Sequence, residues 1–123
     1  MHVSEPVAPI ITVSYGGEID LKDFKEKNVT IGGDITLLSG SPLVINCPAR
    51  GVPQPRVNWL KDNKPLPNVE LRDTNCNGTF RIPSVEVSDS GEYLCYVNNY
   101  LGLDLAFTRV TVIGELEIYY KSK

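Results

Sequence analysis

Cys47, Cys76 and Cys95 carry the most reactive side chains in this chain, and their number is the first constraint. Three thiols allow at most one internal bridge and leave one over. A thiol or hydroxyl nucleophile needs a base beside it, and the single histidine is His2, at the very start. A Ser-His-Asp or Cys-His arrangement therefore has no imidazole to use in the body of the chain. No Cys/His pair has zinc spacing. The stretch Ile31-Gly32-Gly33-Asp34 lacks the Lys-Ser/Thr and the following helix of a phosphate loop. No catalytic residue, metal ligand or cofactor site reads out, and the expectation is a chain that works by binding.

Two further motifs carry chemistry of a different kind. Asn28-Val29-Thr30 and Asn77-Gly78-Thr79 have the acceptor pattern for N-linked glycans. They point to a secreted protein, with Asn77 in a turn and Asn28 in a lead-in segment. A glycan at Asn77 would also shield Cys76. The formal charge of −3 argues against nucleic acid or an anionic membrane as the main partner. No apolar run is long enough to span a bilayer. The first residues lack a basic region followed by an apolar stretch, so no secretory leader is expected within them, and a secreted reading makes the chain a piece of something larger.

The elements that must position these residues are strands. Apolar residues make up 41% of the 123, enough for a core. From Asp34 onward short alternating runs are separated by turn residues, the pattern of an all-β sandwich or barrel. Residues 42–49 put Leu43, Ile45 and Cys47 on one face. Residues 56–63 put Val57 and Trp59 on one face. A weaker strand is expected at 69–74 and a turn at 75–78. Residues 79–85 turn Phe80 and Ile82 inward. Residues 92–98 do the same for Tyr93, Cys95 and Val97, and residues 103–112 for Val110 and Val112. Before Asp34, residues 8–15 alternate, with Ile11, Val13 and Tyr15 on one face. Glu18–Lys27 reads as a turn of helix or a solvated linker, its Lys22, Lys25 and Lys27 interleaved with acids.

Cys47 and Cys95 both fall mid-strand with inward parity, and Trp59 shares that parity on the strand after Cys47. Two cysteines facing each other across a sandwich can bridge if their Cα atoms come near 5.5 Å. Closing a loop of this length would contribute about 4 kcal/mol in the chain-entropy account. The run Asp89-Ser90-Gly91-Glu92-Tyr93-Leu94-Cys95 places a turn just before a tyrosine two residues ahead of a cysteine. Tyr93 can bury its ring there and return its hydroxyl to the backbone near the turn. Asp89 would need a cation, with Arg72 the first choice and Arg81 the second.

The set Cys47, Trp59, Asp89, Gly91, Tyr93 and Cys95 resembles the immunoglobulin superfamily. Pro48-Ala49, Gly51, Pro53, Pro55, Val57, Trp59 and Lys61-Asp62 resemble its intermediate set, and the short turn after Trp59 leaves no room for the extra strands of a variable domain. Within the superfamily, residues 46–67 look most like the immunoglobulin modules of ADAMTS-like (punctin) and papilin matrix proteins. The resemblance implies an immunoglobulin-like two-sheet Greek-key sandwich with one inter-sheet disulfide, Cys47–Cys95. Trp59, Asp89, Gly91, Tyr93 and Arg72 would be framework. Cys76 has no counterpart in the pattern. It is expected as a free thiol, with a bridge to another domain or a second chain as the alternatives.

The expected organisation is an extension or linker over 1–33 with one added strand at 10–15, the sandwich over 34–114, and a tail over 115–123. The last strand puts Leu105, Phe107 and Arg109 outward, beside Tyr96, Asn98, Asn58 and Leu60 on the same sheet. Apolar patches of this kind mark contact surfaces. The loop Asn98–Gly102 adds Tyr100 and Leu101 as anchors. The terminal segments compete for the same surface, since either could cover it or add to a sheet edge. The expectation is an extracellular module of a secreted matrix glycoprotein with a protein partner, and a homodimer through Cys76 or the terminal segments as a variant. The alternatives are a spacer in a large intracellular, muscle-type protein and a module of a cell-surface adhesion receptor.

Overall fold

A computed structural model describes residues 5–21, 24–66 and 77–114. Its strands are β1 (Val7–Ile11), β2 (Gly17–Asp20), β3 (Lys27–Thr30), β4 (Asp34–Leu38), β5 (Leu43–Val52), β6 (Arg56–Lys61), β7 (Lys64–Pro65), β8 (Asn77–Ile82), β9 (Gly91–Asn99) and β10 (Gly102–Ile113). A 3₁₀ turn, Val87–Asp89, precedes β9.

The strands form two sheets. One is built on β5, with β8 antiparallel to it and with both β1 and β3 paired to it. Asn46 O accepts from Ile31 N and Pro48 O accepts from Thr12 N. Carbonyls two residues apart on a strand point to the same edge, so β1 and β3 lie end to end along one edge of β5, with β8 on the other. The second sheet runs β2-β4-β10-β9-β6-β7. It is antiparallel from β10 through β7, while β4 runs parallel to both β10 and β2.

Alternation drives the burial. Ile35, Leu37, Ile45, Val97, Val110 and Val112 are buried between the sheets. Cys47 and Cys95 are bonded across them, with Cα atoms 6.5 Å apart. Trp59, Phe80 and Tyr93 stack in series beside the bridge, with centroids 5.5 and 5.4 Å apart in tilted pairs. Burying such rings contributes roughly 1.5–3 kcal/mol for each large apolar side chain. The fold is thus all-β, a two-sheet sandwich tied by one disulfide.

The segment before Asp34 differs from the expectation of a linker with one strand at 10–15. It supplies three strands and takes part in both sheets. Each step from β1 to β2, β3 and β4 changes sheet, and two of these crossings, at residues 12–16 and at 31–33, run side by side. Ser14 N donates to Ile31 O, Asp34 N to Gly16 O, and Gly32 N to Thr108 Oγ1, all within 2.9 Å. Glycine is required here. Gly32 and Gly33 have φ of +118° and +67°, and a Cβ on them would lie 2.1 Å from Ser14 O and 2.0 Å from Gly16 O.

Glu18–Lys27 is likewise neither a helix nor a solvated linker where it is described. Its two ends are β2 and the start of β3. Lys27 is buried, with its ammonium 2.8 Å from the Asp20 carboxylate. A charge removed from water needs such a partner, and sequence periodicity carries no sign of it.

Candidate binding face

Two framework devices set the geometry of the sheet that carries the candidate site. The first is the entry to β9. Tyr93 is buried, and its hydroxyl donates to Asp89 O at 2.6 Å. Burial pushes its ionisation above the ordinary phenol range, and the carboxylates of Asp89 and Asp62 add to that. The Asp89 carboxylate accepts from Glu86 N at 2.8 Å. Arg81, the second choice as its cation, pairs instead with Glu26 at 3.2 Å. The first choice, Arg72, lies outside the described residues.

The second device is the β6–β7 hairpin. Asp62 and Asn63 both have positive φ, 49° and 66°, as a two-residue type I′ turn demands. Asp62 then reaches β9: Asp62 N donates to Glu92 O, and Asp62 Oδ1 accepts from Glu92 N, both at 2.9 Å. Gly91 makes room for this carboxylate, since a Cβ there would lie 2.7 Å from Asp62 Oδ2.

On this frame the outward face of the second sheet is laid out in rows. Leu105 lies opposite Tyr96, which lies opposite Asn58. Phe107 lies opposite Leu94, which lies opposite Leu60. Leu103 lies opposite Asn98, which lies opposite Arg56. Leu103, Leu105 and Phe107 are 60%, 53% and 48% exposed, too much for side chains that belong to a core. Tyr96 and Asn98, on β9 between β10 and β6, are half-buried. Arg109, exposed and 3.5 Å from Glu92, follows Phe107 along β10. Leu94 is legible by its parity with Tyr96 and stands between Phe107 and Leu60 in their row.

The loop after β9 adjoins this face. Tyr100 and Leu101 are exposed at its tip. Asn99 holds the loop: its Nδ2 donates to Val7 O at 2.9 Å and to Pro53 O at 3.0 Å, while its Oδ1 accepts from Leu101 N at 2.9 Å. One side chain thus ties together the start of β1, the loop before β6 and the loop before β10.

The described part of the N-terminal segment leaves the face open. β1 and β3 belong to the opposite sheet, and β2 extends the second sheet at its β4 edge. The tail over 115–123, including Leu116, Ile118 and Tyr120, lies outside the described residues. So do Cys76 and the strand expected at 69–74. Asn28 is exposed on β3, and Asn77 opens β8 opposite Pro48 rather than sitting in a turn.

A family model described as an immunoglobulin I-set domain matches residues 27–112. The chain belongs to the immunoglobulin I-set family. β1 and β2 of this I-set domain precede the matched region and still pair into its sheets. Human ADAMTS-like protein 3 is 34% identical over 100 residues, covering 80% of this chain and 6% of the relative. Human neural cell adhesion molecule L1 is 38% identical over 68 residues, covering 55% of this chain and 5% of the relative. The chain therefore spans about a twentieth of the length of these relatives. Titin domain M7 aligns with a TM-score of 0.67 over 90% of this chain and 99% of that one, at 24% identity, a likeness of fold. Immunoglobulin domains are in general non-catalytic modules that mediate protein–protein contact, and the relatives include matrix and adhesion proteins.

Proposed function

We propose that this I-set domain is an extracellular protein-binding module of a larger matrix glycoprotein, and that it binds through the outward face of β10, β9 and β6. The observation that carries this reading is the run of half-exposed Leu103, Leu105 and Phe107 along β10, a strand paired on both sides. Exposed apolar residues in a contiguous row cost solubility and are explained by a partner that covers them. Tyr96 supplies an aromatic group at the middle of the face, Tyr100 and Leu101 supply anchors at its rim, and exposed Arg56 adds a positive charge beside Leu103 and Asn98, while Arg109 is paired with Glu92. The partner that fits is a protein surface with an apolar centre and an acidic group where it meets Arg56. The similarity to ADAMTS-like protein 3 and to an adhesion molecule supports the extracellular setting, as does a disulfide, which reducing compartments disfavour.

The test uses the secreted domain, tagged and multimerised, on cells and on deposited matrix. Leu105→Asp and Phe107→Asp should abolish binding while leaving the thermal midpoint within a few degrees of the parent. Retained binding by both variants would remove this face from the reading. Sedimentation of the same domain without the multimerising tag separates a homodimer from a distinct partner.

A further inference from the structure

The opposite side of the sandwich carries a polar cluster that the partner face does not use. Asn46, on β5, lies opposite Thr30 on β3 and opposite Thr79 on β8. Asn46 Nδ2 donates to Val29 O at 3.3 Å and also to Asn28 Oδ1. Asn46 Oδ1 accepts from Thr79 Oγ1 at 3.2 Å.

The assignment of these amide atoms follows from the backbone. Val29 O is a main-chain carbonyl and can only accept. The Asn46 atom turned toward β3 must then be its NH₂, which leaves Oδ1 for the hydroxyl of Thr79. The Asn28 atom turned toward that NH₂ must in turn be an acceptor, its Oδ1. The Nδ2 of Asn28 therefore lies on the side away from Asn46. Among the described residues it donates to none, and Asn28 is exposed. Asn28-Val29-Thr30 is an acceptor sequence for an N-linked glycan, and the sugar joins at Nδ2.

We propose that Asn28 is an N-glycosylation site whose acceptor nitrogen Asn46 aims at solvent, and that its glycan shields the outer face of the β5 sheet. Partner binding is thereby left to the β10–β9–β6 face. The proposal rests on the extracellular reading above. In the transfer, a bond forms between Nδ2 and the anomeric carbon of an oligosaccharide carried on a lipid diphosphate. The bond from that carbon to the diphosphate oxygen breaks, the lipid diphosphate leaves, and a proton passes from Nδ2 to solvent. One N–H is consumed, and Oδ1 keeps its lone pairs. The hydrogen bond from Asn46 therefore survives the modification, and the folded domain carries the glycan without rearranging β3. The second acceptor sequence, Asn77-Gly78-Thr79, converges on the same hub, because its Thr79 hydroxyl is the one that Asn46 Oδ1 accepts from.

The experiment is to secrete the domain from cultured human cells behind a heterologous leader. It is then treated with peptide N-glycosidase in ¹⁸O-water, and the Asn28 peptide is mapped by mass spectrometry. The expected result is Asn28 converted to ¹⁸O-labelled Asp in most molecules. Thr30→Val, which breaks the acceptor sequence and keeps Asn28 facing Asn46, should lose the label completely at an unchanged melting midpoint. Binding in the cell and matrix assay should be equal for the parent and for Thr30→Val, since the glycan lies on the other face. Asn28 recovered unmodified would overturn the proposal, whether or not Asn77 is modified, because secretion is imposed by the leader. A glycan at Asn28 whose loss changes binding would overturn the shielding role. The extracellular reading fails by a different readout: Cys47 and Cys95 recovered as free thiols in protein from its native source.

Discussion

The hydroxyl of Tyr93 donates to the carbonyl of Asp89, four residues upstream, at 2.6 Å. The bond closes the turn that feeds β9 and holds the ring against Phe80. Replacing Tyr93 with Phe keeps the ring and leaves the carbonyl short of a donor, so it should cost about 1 kcal/mol in a urea titration. The same group sets an alkaline limit. In the unfolded chain a phenol ionises near pH 10. In the fold Tyr93 holds its proton to higher pH, first because it is buried. Below pH 10 both states are protonated and its contribution is whole. As pH rises beyond that, the unfolded chain gains by ionising and stability falls. The urea midpoint of Tyr93→Phe should therefore decline less steeply than the parent's from about pH 9.5 to 11. Parallel declines would place the alkaline sensitivity elsewhere.

The Cys47–Cys95 bridge closes a separation of 48 residues. The double replacement Cys47→Ala with Cys95→Ala should cost roughly 2–5 kcal/mol. Thermal unfolding in the presence and absence of reductant reads the same quantity on the unmodified protein. Equal midpoints would mean that the ring stack of Trp59, Phe80 and Tyr93 holds the sheets without the bond.

Gly33 sits where two crossings touch. Alanine there meets a φ of +67° and a Cβ 2.0 Å from Gly16 O. Gly33→Ala should destabilise by about 1–3 kcal/mol and speed amide exchange in β2 and β4 ahead of β9. Exchange unchanged in β2 would show that the crossings move independently.

Asn99 makes three hydrogen bonds with one side chain. Asn99→Ala should loosen the loop tip at Tyr100 and Leu101 and leave the sheets intact. Faster exchange at the Leu101 amide, with a melting midpoint within a few degrees of the parent, is the expected outcome. A large drop in the midpoint would mean that the loop end bears on the core.

Much of this domain is legible from local patterns. The alternation at Leu43, Ile45 and Cys47, at Tyr93, Cys95 and Val97, and at Val110 and Val112 fixes which side chains face the core, because strand parity is a property of the chain itself. The outward set Leu105 and Phe107 follows from the same parity, and so does Leu94. The turn before Tyr93 was readable because a glycine and a hydroxyl have specific backbone uses.

What only the tertiary structure decided are contacts between residues distant in sequence. Asp62 reaching Glu92, Lys27 buried against Asp20, and Asn46 standing between Asn28 and Thr79 each join side chains that periodicity cannot relate. The segment before Asp34 is the sharpest case. Alternation marks a strand near β1, but β2 and β3 are four residues each with one apolar side chain apiece, so their own sequence carries little apolar signal. Those residues become strands because β4 and β5 offer them unpaired backbone edges, and an edge is a property of the assembled sheet. The two glycines at 32 and 33 could be seen from the start. Their purpose, to let one crossing pass within van der Waals reach of another, exists only once both crossings are in place.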